Sequence, residues 1–352
     1  MYFQRFIRED ARIMRIPFIP LLSLQKTRTM IGSIDPTPPR RLHVLPLLLT
    51  VMFFLLHGRT DAQSKLPQSA SGRVVRHADF PSKHLSARHV DVWLPEGYTK
   101  DRRYDVLYMH DGQMLFDSTI TWNRQEWGVD ETMGRLLREG KIRDCIVVGV
   151  WNTGADRHAE YFPQKPFESL DARVRDSILK AGRRNGQVLF QGESIRSDEY
   201  LRFLVHELKP FIDENYSTRK GRGGTFIAGS SMGGLISLYA ICEYPRVFGG
   251  AACLSTHWPG LFTLEGNPVP DAFLGYLRKG LPSPRRHKIY FDCGDATLDA
   301  LYPAIQREVD GVMRERGYAE TNWLTRYFPG EDHSEKSWSK RLEIPLTFLL
   351  RR

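Results

Sequence analysis

Two serines stand side by side in the stretch GTFIAGSSMGGLISLYA, Gly224 to Ala240. Centred on Ser231, the frame Gly229-Ser230-Ser231-Met232-Gly233 reads G-x-S-x-G. Centred on Ser230, the flanking positions are Ala228 and Met232 and the pattern fails. Ser231 is therefore the candidate nucleophile. Glycine on both sides suits a turn too sharp for a Cβ. A serine hydroxyl attacks poorly until a base takes its proton, and the base in turn needs a carboxylate to hold its tautomer and stabilise the imidazolium. The chemistry such a group can do is acyl transfer, provided a base, an acid and two N–H donors converge on it.

When a G-x-S-x-G turn joins a strand to a helix, the partners follow in the order acid, then histidine. Three histidines lie beyond Ser231: His257, His287 and His333. His287 opens a strand that precedes the acid-bearing stretch, so its order is wrong. His257, in STHWPG, comes too early and can at most line a pocket. His333, in FPGEDHSEKSW, occupies a polar loop between the last strand and the last helix, where catalytic groups gather in such sheets. The acid comes from IYFDCGDATLDALY. Asp299 is favoured, at the start of a helix where a carboxylate is also a common N-cap, and Asp295 in the preceding turn stays open. The oxyanion needs two amides. One is expected from Met232, directly after the nucleophile. The other is expected from MHDGQMLFD, Met109–Asp117, through Gln113 or Met114, with Gly112 letting the backbone approach.

The elements that must position these groups can be read from periodicity. Thr225–Ala228 is a short apolar run, and Leu235–Ile241 follows at helical spacing until Pro245. Ser231 therefore sits in a strand–turn–helix, with the helix N-terminus favouring developing negative charge. Strand-like runs occur at Val90–Leu94, Val106–His110, Ile146–Trp151, Thr225–Ala228, Gly250–Ser255, Lys288–Cys293 and Trp323–Phe328. Several are apolar throughout, as in a parallel sheet covered on both faces. The clearest helical patterns are Glu199–Asn215, Leu235–Glu243, Asp299–Arg316 and Ser337–Leu350, with Pro210 expected to kink the first or mark its last turn. The alternation predicts a doubly wound α/β fold. Residues 163–198 break the rhythm and read as an excursion over the sheet edge that covers the site.

The chain has 352 residues, of which 41% are hydrophobic, enough for one large α/β domain or two small ones. Arg40-Arg41, the apolar run Val44–Leu56 and small residues at Thr60 and Ala62 read as a secretory signal cleaved after Ala62. Met30 is an alternative start, and an uncleaved anchor is the other reading. The run is short for a membrane span, so any membrane contact is expected only through this segment. Residues 63–352 form the expected catalytic domain. Residues 1–62 carry nine Arg/Lys and four acids, so they hold +5 of the formal +9 and leave +4 for the remainder. The basic character thus belongs largely to the leader, no basic stripe interleaved with aromatics appears, and nucleic acid is not an expected partner. The four cysteines, Cys145, Cys242, Cys253 and Cys293, show no metal spacing and read as small buried hydrophobes, with a disulfide left open.

Taken together, MHDGQMLFD, VGVWNTGADRHAEYFP, IAGSSMGG, YFDCGDATLDALY and GEDHSEKSW resemble the putative-esterase family of α/β hydrolases, which includes enterochelin, feruloyl and acetyl-xylan esterases and mycolyl transferases. The resemblance runs from about Val74 to the C-terminus. It implies the α/β-hydrolase fold, a serine hydrolase acting on carboxylic esters, a triad of Ser231, Asp299 and His333, and oxyanion amides from Met232 and Gln113. Asn152, Arg157, Glu160 and Tyr161 match a segment near the site without an assigned role.

The reaction so implied needs neither metal nor cofactor. The expected substrate is a small-molecule or carbohydrate ester outside the cytoplasm, with an acylated polysaccharide preferred over a siderophore ester. Trp122, Trp127, Trp151, Trp258 and Trp338 are candidates for stacking on it, and the excursion is expected to set substrate choice. An acyltransferase using the same acyl-enzyme and a non-catalytic binding module are the rival readings, and the sequence leaves the oligomeric state open.

Overall fold

The computed structural model describes residues 65–184, 186–190 and 194–352. The expected signal segment and the alternative start at Met30 lie outside those residues. The strands are Arg73–Phe80 (β1), Arg88–Leu94 (β2), Asp105–His110 (β3), Cys145–Val150 (β4), the short pair Arg183–Arg184 (β5) and Gln187–Val188 (β6), Thr225–Ser230 (β7), Gly250–Leu254 (β8), Lys288–Cys293 (β9) and Trp323–Tyr327 (β10). Eight of them form one sheet in the order β1-β2-β4-β3-β7-β8-β9-β10. The run from β4 to β10 is parallel, while β1 and β2 pair antiparallel at one edge.

Both faces of the sheet are covered, which is why its strands read as continuous apolar runs. Val106, Tyr108, Ile146, Val148 and Ile227 enter one core, with the helix Met232–Glu243. The alternate residues Leu107, Met109, Cys145, Val147 and Phe226 enter a second core with Leu346, Leu349 and Leu350 of the C-terminal helix. Met232–Glu243 is buried from Met232 to Ile241. A helix apolar all round belongs inside a protein. All four cysteines are free; Cys145, Cys253 and Cys293 are buried in strands and Cys242 is half-buried in this helix.

Three helices differ from the sequence expectation, and a proline stands at each departure. Glu199–Asn215 becomes Ser197–Arg202, a π-helical segment Phe203–Leu208 and Lys209–Asn215. Pro210 has no N–H for the His206 carbonyl and its ring crowds that oxygen, so the preceding turns widen. Ser337–Leu350 splits into Glu335–Arg341 and Glu343–Leu350, because Pro345 cannot donate to the Arg341 carbonyl. The stretch expected as a helix from Asp299 begins as a 3₁₀ turn, Thr297–Leu301, and becomes α-helical only at Tyr302, with Pro303 in its first turn. Asp299 therefore caps no helix, and its carboxylate stays available to the site.

The excursion carries two short helices, Gln164–Glu168 and Ala172–Ala181, and the β5–β6 hairpin. Among the described residues no helix is long and apolar enough to cross a membrane.

Candidate active site

Ser231 occupies the junction between β7 and the helix Met232–Glu243 with φ 58° and ψ −123°. A non-glycine residue at positive φ is uncommon, and strain of this kind persists only where the surroundings hold it. The Ser231 N–H donates to the Leu254 carbonyl at 3.0 Å, and the Ser231 carbonyl accepts from the N–H groups of Gly234, Leu235 and His257. The glycine at 229 is required by contact: a Cβ there would lie 2.8 Å from the Gly233 backbone. Met232 is the first residue of the helix, so its N–H has no intrahelical acceptor.

Asp299 and His333 come from the loops after β9 and β10. His333 Nδ1 lies 2.6 Å from Asp299 Oδ1. The other carboxylate oxygen accepts from Ser255 Oγ at 2.6 Å and from Gly294 N at 2.7 Å. The two loops are laced together. Glu331 O accepts from the N–H groups of Asp295 and Ala296, and the His333 N–H donates to Thr297 Oγ1 at 3.0 Å. A Cβ at Gly294 would lie 2.0 Å from Glu331 O, so only glycine permits this approach. Asp295, the alternative acid, points elsewhere: its carboxylate binds the Tyr327 hydroxyl at 2.5 Å and Gly330 N at 2.7 Å.

A buried layer supports the acid. Ser255, itself at φ 39°, also receives Trp338 Nε1 and Arg341 Nη2 at 2.9 Å each. Arg341 pairs with Asp292 at 3.0 Å. Burial raises the Asp292 carboxyl above its ordinary value, an effect the guanidinium opposes. The Trp338 ring meets the His333 ring edge-on at 5.0 Å, and Tyr302 meets it from another side at 5.7 Å. The Tyr302 hydroxyl bonds His257 Nδ1 at 2.8 Å. Burial lifts the Tyr302 phenol well above its ordinary value, the Asp299 charge adds to this, and the neighbouring Ser231 hydroxyl works against it. Burial pushes the His257 imidazole well below its ordinary value, and the nearby guanidinium charges of Arg184 and Arg157 act the same way.

Ser231 and His333 line one cavity of about 430 Å³, together with Met232. Among the described residues no hydrogen bond joins Ser231 Oγ to the imidazole; such contacts are often loose before substrate binds.

The loop after β3 begins with Asp111 in the left-handed region, φ 57°, followed by the 3₁₀ turn Gly112–Met114. A Cβ at Gly112 would lie 2.6 Å from the Gly149 backbone, so the loop is pressed onto β4. Gln113 uses its side-chain oxygen to accept from Asn152 N at 3.3 Å. Its backbone N–H, in the first turn of the 3₁₀ segment, is the second oxyanion candidate. Arg157 clamps Asp111 with two bonds of 2.7 Å, and Asn152 adds a third to the same carboxylate. Burial would raise the Asp111 carboxyl, but Arg157 and Asn152 bring it below its ordinary value. Glu160 pairs with Arg88 in the interior, and Tyr161 is buried. Arg157 and Asn152, with the Tyr161 hydroxyl 3.5 Å from Asp111 N, thus brace the loop after β3, while Glu160 holds Arg88.

Of the five tryptophans expected to stack on substrate, only Trp122, 84% exposed, lines the cavity. Trp127, Trp151, Trp258 and Trp338 are buried, because their indoles fill the cores or bond inner groups such as Asp91 and Gln306. His257, expected at most to line the pocket, is fully buried. The excursion contributes Arg184, Gln187, Val188 and Leu189 to the cavity wall. Among the described residues no cluster of three His, Cys, Asp or Glu is arranged to hold a metal ion.

The mostly parallel sheet and the elbow at Ser231 define an α/β hydrolase. Residues 84–345 match the family described as Putative esterase, and the chain belongs to that family and so to the esterase class of hydrolases. It is 26% identical over 277 residues to YbbA of Bacillus subtilis (strain 168), a protein described as uncharacterized, covering 76% of this chain and 95% of that one. Among solved structures it resembles a ferulic acid esterase at 20% identity and a TM-score of 0.56, covering 79% of this chain and 98% of the other. It also resembles the enterobactin esterase of Shigella flexneri at 18% identity and a TM-score of 0.55, covering 80% of this chain and 60% of the other. At these identities the two structures speak to the fold.

Proposed function

We propose that the chain is a serine carboxylic-ester hydrolase that works through an acyl-enzyme. The observation that carries this reading is the 2.6 Å contact of His333, on the wall of the cavity that holds the strained Ser231, with the buried Asp299 behind it. His333 takes the Ser231 proton as Oγ attacks the ester carbonyl. Asp299 fixes the tautomer with Nδ1 protonated, leaving Nε2 as the base. The tetrahedral oxyanion rests on the Met232 and Gln113 amides. His333 then protonates the departing alcohol, and water repeats the sequence in reverse roles to release the acid.

The proposed substrate is an ester met outside the cytoplasm, in line with the signal-like segment at residues 40–62. An acylated carbohydrate is the preferred class, supported by the exposed Trp122 ring at the cavity, which offers a stacking face for sugar or aromatic acyl groups. A siderophore ester is the second reading, favoured by the fold shared with the enterobactin esterase.

Turnover of p-nitrophenyl acetate by the wild type and Ser231→Ala tests the mechanism. Loss of one triad member costs several orders of magnitude in kcat. Equal rates in the two proteins would defeat the proposal.

A further inference from the structure

We infer that this site takes esters carrying a carboxylate or another compact oxyanion near the scissile bond, and that Arg184 recognises that group. The inference rests on the serine-esterase reading and names its substrate class. Among the described residues no Asp or Glu lines the cavity, whereas Arg157 and Arg184 both do. The charge of Arg157 is answered by its two bonds to Asp111. His158, also on the wall, is held down to about 3 by burial and by Arg157, so it adds no charge at neutral pH. Arg184 is different. It has no ion pair among the described residues, and its guanidinium lies over the Phe262 ring, 4.9 Å from the centroid.

Stacking on an aromatic face suits a guanidinium and leaves its planar fork of donors free for a carboxylate or phosphate-like group. Arg184 is exposed at the cavity, and its charge bears on His158, His257 and Tyr302, the last of which neighbours Ser231. A positive charge in a cleft concentrates anions and steers them to the site. Arg76, Arg88, Arg157 and Arg341 each have a carboxylate partner, whereas the exposed Arg184 has none among the described residues.

The anionic group can belong to the acyl part or to the alcohol part. Two substrates separate these sources: monophenyl succinate carries the charge on the acyl side and 4-carboxyphenyl acetate on the alcohol side. Each is compared with neutral phenyl acetate in the wild type, Arg184→Met and Arg184→Glu. The expected result is that the anionic-to-neutral ratio of kcat/KM falls about tenfold in Arg184→Met, and further in Arg184→Glu, for at least one of the two. The same ratio in all three proteins for both substrates overturns the inference. A binding arm keeps this separate from the serine mechanism. Calorimetry of 4-acetylbenzoate against 4-acetylbenzamide, neither of which carries an ester, is run on the wild type, Ser231→Ala and Arg184→Met. Preference for the anion in the first two and its loss in the third supports the inference even if Ser231 proves inert. No preference in the wild type overturns it.

Discussion

His333 and Asp299 meet through Nδ1 and Oδ1 at 2.6 Å, and the second oxygen of Asp299 is already engaged by Ser255 and Gly294. The carboxylate therefore has no freedom to turn away from the imidazole. Its neighbour Asp295 is spent on Tyr327 and Gly330. Asp299→Asn is expected to lower kcat by three to four orders of magnitude, roughly the cost of a wrong histidine tautomer. Asp295→Asn is expected to change kcat by less than about twofold. Equal losses in the two variants would show that the acid is misassigned.

Gly294 is the point where the acid loop and the histidine loop touch. A methyl group there would sit 2.0 Å from the Glu331 carbonyl, so Gly294→Ala must separate the loops. The expected outcome is a fall in kcat of at least about 10²-fold, since small misplacements of reacting groups are costly. KM should change little. A loss confined to KM would place the loops' role in binding instead.

Trp122 is the tryptophan on the cavity wall, and it is exposed. Trp122→Ala should raise KM for aromatic or sugar esters about two- to tenfold, the range of one aromatic contact, while KM for phenyl-free acetyl esters moves less. Steady-state kinetics on matched esters reads this directly.

Arg341 and Asp292 form an ion pair beneath Ser255, with both side chains almost wholly buried. Removing one partner strands a charge in the interior, at a cost of about 3–5 kcal/mol. Arg341→Met is expected to lose about that much in urea unfolding. The double variant Arg341→Met/Asp292→Leu should recover part of the loss.

His110, buried at the end of β3 with Nδ1 on the Tyr200 hydroxyl, is pushed down by burial to about 3. Its unfolded value is about 6.5. Between those pH values the unfolded chain binds a proton that the folded chain refuses, so this residue's contribution to stability falls as pH drops from about 6.5 toward 3. His110→Gln removes that proton. Its urea midpoint should decline less steeply than the wild type's between pH 7 and pH 4, and parallel declines would contradict the assignment.

The sequence carried the elbow, the order of the partners and the parallel strands because each is a local pattern: G-x-S-x-G between an apolar run and a helical one, a histidine after the last strand, a turn rich in acids. It did not carry what depends on distant packing. β1 reads RVVRHADF, half polar and with a single buried residue, and forms because β2 offers it an edge. Ser255 looks like the end of a strand and in fact holds the Asp299 carboxylate. Tyr302 looks like a helix residue, yet its ring and hydroxyl lie between His257, His333 and Ser231. Arg184 sits in a charged stretch without periodicity, and only the folded hairpin brings it to the cavity. Asp299 and Asp295 differ in side-chain direction, one toward His333 and the other toward Tyr327, which spacing alone does not encode. Pro210, Pro303 and Pro345 were visible, and each marks a place where the helical pattern overran the helix.

The most direct test of the central claim is covalent trapping. The protein is treated with a fluorophosphonate, digested, and mapped by mass spectrometry. The account predicts one adduct, on Ser231, absent from Ser231→Ala and formed far more slowly in a His333→Ala variant. An unlabelled protein, or an adduct on Ser230 or any other residue, would contradict it.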